Sequence, residues 1–387
     1  ITSNTLVLQN SWIFLSLKFF YYALTVADKV KIVTGSAQPQ VTTTNINPFP
    51  IVVPPLAEQN RIVAKVDELM TLCDQLENQH SNAIVAHEKL VSYLLNTLTQ
   101  SQNTAEFHES WQRIAANFDT LFSTESSIDA LKQTVLQLAV MGKLVPQDAS
   151  DEPASELLKR IQAEKAKLIT EGKIKKDKPL AAIGDNEKPF ELPKGWEWYY
   201  LQDFFAVVTD GDHQAPPRAD VGVHFLVIGN LNQGRILLTH DKFVSEEYFN
   251  HLNWEKKPIK RDILYTVTGS YGIPVLVDIE NSFCVQRHVA ILKSLESTPV
   301  PFIMKAFQSK YAFDYAKNIA TGIAQKTVPL SGLRKLPMPA PPLAEQHRIV
   351  AKVDELMAIC DQLKTRISTA NQLQQKLADV LVGQAVA

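Results

Sequence analysis

PPLAEQNRIVAKVDELMTLCDQL at residues 54–76 returns as PPLAEQHRIVAKVDELMAICDQL at residues 341–363, 287 positions later. Three positions differ: Asn60 against His347, Thr71 against Ala358, and Leu72 against Ile359. The same spacing pairs Thr34-Gly35-Ser36-Ala37-Gln38 with Thr321-Gly322-Ile323-Ala324-Gln325, Lys89-Leu90 with Lys376-Leu377, and Leu94 with Leu381. Repetition at a fixed period means one structural unit used twice. The first copy starts in mid-unit, because residues 12–24 (WIFLSLKFFYYAL) fall opposite residues 299–311, deep inside the second. That apolar stretch is shorter than the ~20 residues a membrane span needs. A buried core helix is expected there, the tail of a globular domain whose front is missing. Some of its apolar surface should then be exposed.

After each Pro-Pro pair the pattern turns helical. Proline suits the entry to a helix and not its interior. Apolar positions then alternate at spacings of three and four: Ile62, Val66, Leu69, Cys73, Leu76, Ala83, Leu90 and Leu94. The second copy gives Ile349, Val353, Leu356, Cys360, Leu363, Ile367, Ala370, Leu377 and Leu381. That spacing, sustained over several heptads, is the seam of a coiled coil. His80 and His87 fall on the first seam, where polar residues fix register more often than they bind metal. Cys73 and Cys360 hold one seam position and are expected to be small buried hydrophobes.

Between the coils, SSIDALKQTVLQLAVMGKLVPQ (126–147) predicts a helix stopped by Gly142. A charged helix is expected over Ala154 to Ile169, followed by the basic run GKIKKDKPL at 172–180. From 192 to 340 the texture changes to short segments between turn residues. FLVIGN (225–230), DILYTV (262–267), PVLVDI (274–279) and HVAILK (288–293) predict strands, with a helix over 302–318. The fold class is α+β: a globular α/β domain, and two long helices forming an antiparallel coiled coil with a pseudo-twofold repeat. The domains expected are a remnant over 1–53, a first coil helix over 54–100, a helical connector and basic linker over 101–191, a second globular domain over 192–340, and a second coil helix over 341–387.

A soluble composition, 45% hydrophobic and 21% charged, excludes disorder and a membrane protein. A net charge of −2 argues against a wholly basic nucleic-acid binder. Three cysteines without CxxC spacing predict neither a disulfide framework nor a zinc site, and fit a reducing cytoplasm. No phosphate loop, HExxH, GxSxG or dinucleotide fingerprint occurs, so no catalysis is expected. Asn47-Pro48-Phe49-Pro50 bears a chance likeness to an adenine-methyltransferase motif, but no glycine-rich loop precedes it. Asp210-Gly211-Asp212-His213 fits a polar loop better than a metal site.

DNA binding has better support. Lys305, Lys310, Lys317, Lys326, Arg334 and Lys335 face Asp314 alone over 305–335, and Lys256, Lys257, Lys260 and Arg261 form a second basic knot. Such clusters neutralise phosphates, whereas specificity needs donors and acceptors that reach base edges. Candidates for the latter are Asp210, Asp212, His213, Ser270, Tyr271, Gln286, Arg287, His288, Gln325 and Lys326.

The repeated PPLAEQxRIVAKVDELMxxCDQL, with KQTVLQLAVMGKLVPQD, LPKGWEWYYL and the paired TGxAQ segments, resembles type I restriction-modification specificity subunits, shortened at the N-terminus. The resemblance implies two target-recognition domains held apart by antiparallel conserved helices. Each domain reads half of a split site in double-stranded DNA. It also implies two methyltransferase (modification) subunits docked on the chain, with restriction subunits outside them. S-adenosylmethionine, ATP and magnesium then belong to those partners, and no cofactor to this chain. With 1–53 matching only the end of a recognition domain, 192–340 is expected to be the sole reader, and two chains can dimerise to restore a pair. The competing readings are a stand-alone DNA-binding regulator and a coiled-coil assembly factor. Two near-identical helix starts suggest two docking surfaces, which a simple regulator does not need.

Overall fold

The computed structural model describes residues 13–27, 32–34, 40–176, 180–213, 216–231, 234–238 and 242–386. The chain divides into two compact units, residues 1–87 and 88–387.

The first unit contains α1 (Leu17–Val26), a ribbon of β1 (Val33–Thr34) and β2 (Gln40–Val41), the short α2 (Thr43–Ile46), and most of α3 (Leu56–Gln100). Gln59, fully buried, stitches the start of α3 to the segment before α1. Its Oε1 accepts from Ser16 N, and its Nε2 donates to Phe14 O and Pro54 O, each at 2.8 Å. Two turns on, Asp67 accepts from Lys18 Nζ and Tyr22 Oη, both at 2.5 Å. Of the apolar side chains in α1 Phe19 is buried, while Leu17, Tyr21 and Val26 are exposed. The core helix expected at 12–24 is thus an amphipathic helix with a bare apolar side; residue 12 lies outside the described residues.

The second unit opens with the last part of α3, then α4 (Thr104–Ala116), α5 (Phe118–Leu121) and α6 (Glu125–Val140). Thr124 caps α6, accepting from Ser127 N at 3.1 Å, in a reciprocal capping box. Gly142 ends it at φ +68°, where a Cβ would lie 2.4 Å from the Pro193 ring. That position therefore needs glycine for both its backbone and its close approach. A charged helix follows, α7 (Ala154–Thr170), whose apolar side (Leu157, Leu158, Ile161) is buried.

The remaining elements are β3 (Glu197–Tyr200), β4 (Phe205–Asp210), β5 (Val223–Leu226), β6 (Phe243–Val244), α8 (Glu246–His251), β7 (Ile263–Thr266), β8 (Pro274–Leu276), β9 (Phe283–Val285) and β10 (Val289–Ser294), then α9 (Val300–Gln308), α10 (Lys310–Ile319), α11 (Leu330–Arg334), β11 (Pro337–Ala340) and α12 (Leu343–Val386). An antiparallel sheet runs β4-β10-β7-β8, and a smaller one runs β6-β5-β9 with β5 parallel to β9. In the central strands Ile263, Tyr265, Ala290 and Leu292 face a core shared with α7 and α9. Leu264, Val289 and Ile291 face a second core with Phe283 and Val285. Burial on both faces is why these strands are near-continuous apolar runs in the sequence. The single helix expected over 302–318 breaks at Ser309, whose hydroxyl caps α10.

The two repeated helix starts behave differently. Along α12, Ile349 and Val353 pack with Val135, Ala139, Trp196 and Phe302, and Cys360 is buried in a core that α6 (Ile128, Leu131, Leu138) shares with Val91, Leu95 and Leu98 of α3, with Leu363 and Ile367 partly buried beside it. Leu356 is half-buried, whereas Leu377 and Leu381 are exposed. In α3 Ile62 and Val66 are half-buried, while Leu69, Cys73, Leu76 and Leu90 are exposed and Leu94 is partly covered. The buried-cysteine expectation therefore holds for Cys360 and fails for Cys73. Among the described residues, α1 and the segment before it meet α3 near Gln59 and Asp67. Two contacts of the first copy recur 287 residues later: Gln346 Nε2 donates to Pro341 O at 2.8 Å, and Lys305 Nζ to Asp354 at 2.5 Å.

Glu345, in the first turn of α12, accepts from Trp196 Nε1 at 2.8 Å and Gln147 Nε2 at 3.1 Å. Burial raises its carboxyl above 4.5 despite those donors. The folded chain then holds this proton more tightly than the unfolded one. The resulting stability is full below the unfolded value and is lost as pH rises through the folded one. Glu345→Gln should flatten that decline in urea unfolding at about pH 4, 5.5 and 7. A variant with the wild-type slope would contradict this assignment.

Candidate nucleic-acid interface

The sheet register places the end of β4, the start of β10 and the end of β7 side by side, through Ala290↔Asp210 and Val289↔Thr266. The loops leaving those ends are tied together by backbone. Gly211 N donates to Val289 O at 3.3 Å, Val267 N to His288 O at 3.0 Å, and Gly269 N to Lys326 O at 3.0 Å. Asp212 pairs with Gln286 in a parallel bridge, and Thr268 with Thr327 in an antiparallel one. A Cβ on Gly211 would lie 2.0 Å from Val285 O, so the strands meet there only because that residue is glycine. Four segments far apart in sequence thereby form one rim: Asp210–His213, Gly269–Tyr271, Gln286–His288 and Thr321–Lys326.

Asp210 pairs with His213 Nε2 at 3.2 Å. Asp212 accepts from Tyr248 Oη at 2.7 Å, and Lys256 Nζ lies 3.7 Å from its carboxylate and 3.3 Å from Gly211 O. Burial first, then Asp212, pushes the Tyr248 phenol up, so it remains a donor. Arg287 Nε donates to His288 Nε2 at 3.3 Å. Burial, and then the Arg287 charge, lowers the His288 pKa, which keeps that imidazole neutral at pH 7. His213, Ser270, Arg287, Gln325 and Lys326 are exposed, with Tyr271, Gln286 and His288 half-buried beside them. Tyr271 stacks on Phe313, their rings 9° from parallel with centroids 6.1 Å apart. The rim therefore presents donors, acceptors and an aromatic face on backbone held by strand ends, as base-edge recognition requires.

The basic residues are divided. Lys256 reaches the rim, but the rest of its knot surrounds a buried ion pair near the opposite end of the sheet. Lys257 Nζ lies over the Phe249 ring, 5.0 Å from its centroid, and Lys260 pairs with Glu280 at 2.6 Å. Arg261, at φ +75°, donates to Glu296 O at 3.1 Å. Arg334 Nε donates to Val208 O at 3.0 Å, which ties α11 to β4. Lys335 is exposed beside Leu336, whose carbonyl accepts from Leu201 N just after β3 ends. Lys257, Lys260, Arg261 and Arg334, expected at phosphates, each have a protein partner in the structure. Tyr248, Thr268 and Thr327 help to build the rim without having stood out in the sequence, because their partners lie 36 to 59 residues away.

A family model described as the type I restriction modification DNA specificity domain matches residues 4–86 and 193–373. The chain belongs to this family. The second matched stretch holds the whole rim. Among curated members, the chain is 42% identical over 369 residues to the type I restriction enzyme EcoAI specificity subunit of Escherichia coli, covering 91% of this chain and 61% of that protein. It is 41% identical over 373 residues to the EcoEI specificity subunit of the same organism, covering 92% and 61%. The chain thus spans about three-fifths of the length of these specificity subunits. A chain solved in a study of complex assembly and conformational transition of the type I R-M system shares the fold, with a TM-score of 0.50 at 18% identity over 95% of this chain and 68% of that one. Among the described residues, no helix is long and apolar enough to cross a membrane.

Proposed function

We propose that this chain is a non-catalytic, cytoplasmic DNA-recognition subunit of a type I restriction-modification complex, and that the 192–340 domain reads one half of a bipartite site in double-stranded DNA. The observation that carries the reading is the rim: four separate loops converge there on rigid strand ends and present exposed Arg287, Gln325, Lys326 and His213. The role printed for the curated relatives supports it.

The chain docks two methyltransferase subunits through the two near-identical helix starts, with restriction subunits bound outside them. Those partners hold S-adenosylmethionine, ATP and magnesium. The contacts repeated at Gln59 and Gln346, and at Asp67 and Asp354, support two equivalent copies related by a pseudo-twofold repeat. The core in which Val91, Leu95 and Leu98 of α3 and Cys360 of α12 both meet α6 supports bringing the two repeated helices together, as the expected antiparallel coil requires. The exposed seam at Leu377 and Leu381 supports pairing with a further helix, including that of a second chain. Light scattering of the chain mixed with its methyltransferase subunit tests the docking. Two methyltransferase subunits per chain are expected, and the absence of any complex would overturn the proposal.

A further inference from the structure

We infer that Ile323 is a specificity-determining residue that reads the 5-methyl group of a thymine in the major groove, an inference that rests on the recognition function proposed above. The loop carrying it is closed by reciprocal backbone bonds, Thr321 N to Thr327 O at 2.9 Å and Thr327 N to Thr321 O at 2.8 Å. Gly322 adopts φ +101°, and a Cβ there would lie 2.3 Å from Gln325 O, so the turn is built around a glycine. Gly269 N bonds Lys326 O, and Val328 N bonds Val267 O at 2.7 Å, which fixes the loop to the rim. At the tip of this closed loop Ile323 is wholly exposed, at 104% of its reference area. Gln325 and Lys326 are exposed beside it.

A single exposed isoleucine is common on protein surfaces. The repeat supplies the second observation. Thr-Gly-x-Ala-Gln is kept 287 residues apart, and only the tip changes, from Ser36 to Ile323. Residues 35–39 lie outside the described residues, so the comparison is one of sequence. A frame kept while its tip varies fits two loops that do the same work on different bases. A serine hydroxyl takes hydrogen bonds from base edges, whereas an aliphatic side chain takes the thymine methyl. A partner docking equally on both copies would instead favour one residue at both tips. The closed loop also means that little conformational freedom is lost when the tip meets DNA.

The test uses the full chain with its methyltransferase subunits, on the site enriched from random DNA. Each thymine of that site is replaced in turn by deoxyuridine, which lacks the methyl group. At one thymine the wild type should bind about fourfold more weakly, the worth of one buried methyl group. Ile323→Ala should show no such loss there, and Ile323→Ser should shift the base preference at that position. Thermal melting of both variants should match the wild type. An enriched motif unchanged by either substitution, deoxyuridine effects equal in wild type and Ile323→Ala, or a site without thymine would overturn the inference while leaving the recognition function intact. A wild-type complex that enriches no sequence would overturn the recognition function, and this inference with it.

Discussion

Lys293→Met should destabilise the 88–387 unit by about 3–5 kcal/mol, the usual cost of leaving one member of a buried ion pair alone. Lys293 and Asp262 are almost fully buried, and they form an ion pair. Each has further partners. Asp262 accepts from Ile259 N at 2.8 Å and Ser294 N at 3.0 Å, and Lys293 Nζ donates to Lys257 O at 2.9 Å below the Trp254 ring. The pair therefore locks the 256–262 corner onto β10. Removing the cation strands a carboxylate among Ile259, Ser294 and apolar neighbours. The double variant Lys293→Met/Asp262→Leu should recover a large part of the loss, since apolar replacement of both partners is often close to neutral. Urea unfolding of both variants provides the measurement. A single variant within about 0.5 kcal/mol of wild type would show that the pair has no structural role, because that is the scale of ordinary surface changes.

The second large effect is on DNA. Arg287→Ala and Gln286→Ala should each weaken binding to the enriched site by about 1–3 kcal/mol and relax the preference at one position. Lys326→Ala should weaken all sequences alike and lower the salt slope by about one. Lys260→Ala should change neither, since that side chain pairs with Glu280 near the other end of the sheet. Equal losses for Arg287→Ala and Lys260→Ala would show that charge, and not the rim, governs binding. Titrations over a range of salt concentrations separate the two outcomes.

How much was legible in the sequence depends on the range of the interaction. The helix start at Pro341-Pro342, the stop at Gly142 and the buried strands around 263–266 and 289–294 follow from local steric rules and from apolar periodicity. The seam was legible as a period, but its partners were not. In the second copy of the 23-residue pattern Ile349 and Val353 are buried and Leu356 and Leu363 half-buried, whereas in the first Ile62 and Val66 are half-buried and Leu69 and Leu76 exposed. Periodicity states which side of a helix is apolar and says nothing about what covers it. The rim was half legible. Polar loop residues at 210–213, 270–271, 286–288 and 325–326 stand out singly, and only the strand register brings them together. The basic knot was legible as a charge cluster, but its contacts were not: Lys257 donates to Asn250 O, Lys260 pairs with Glu280 and Arg261 donates to Glu296 O, partners that composition does not reveal. Tyr248 carries no local signal at all, since its role is set by Asp212, 36 residues before it.

The most direct test of the central claim is to select bound DNA from a random pool with the chain and its methyltransferase subunits, in parallel with the Gln286→Ala/Arg287→Ala variant. A short motif enriched by the wild type and lost or altered in the variant is the predicted result; it appears as one half-site, or as a symmetric split site where two chains pair. No enriched motif, or the same motif from both proteins, would contradict the account.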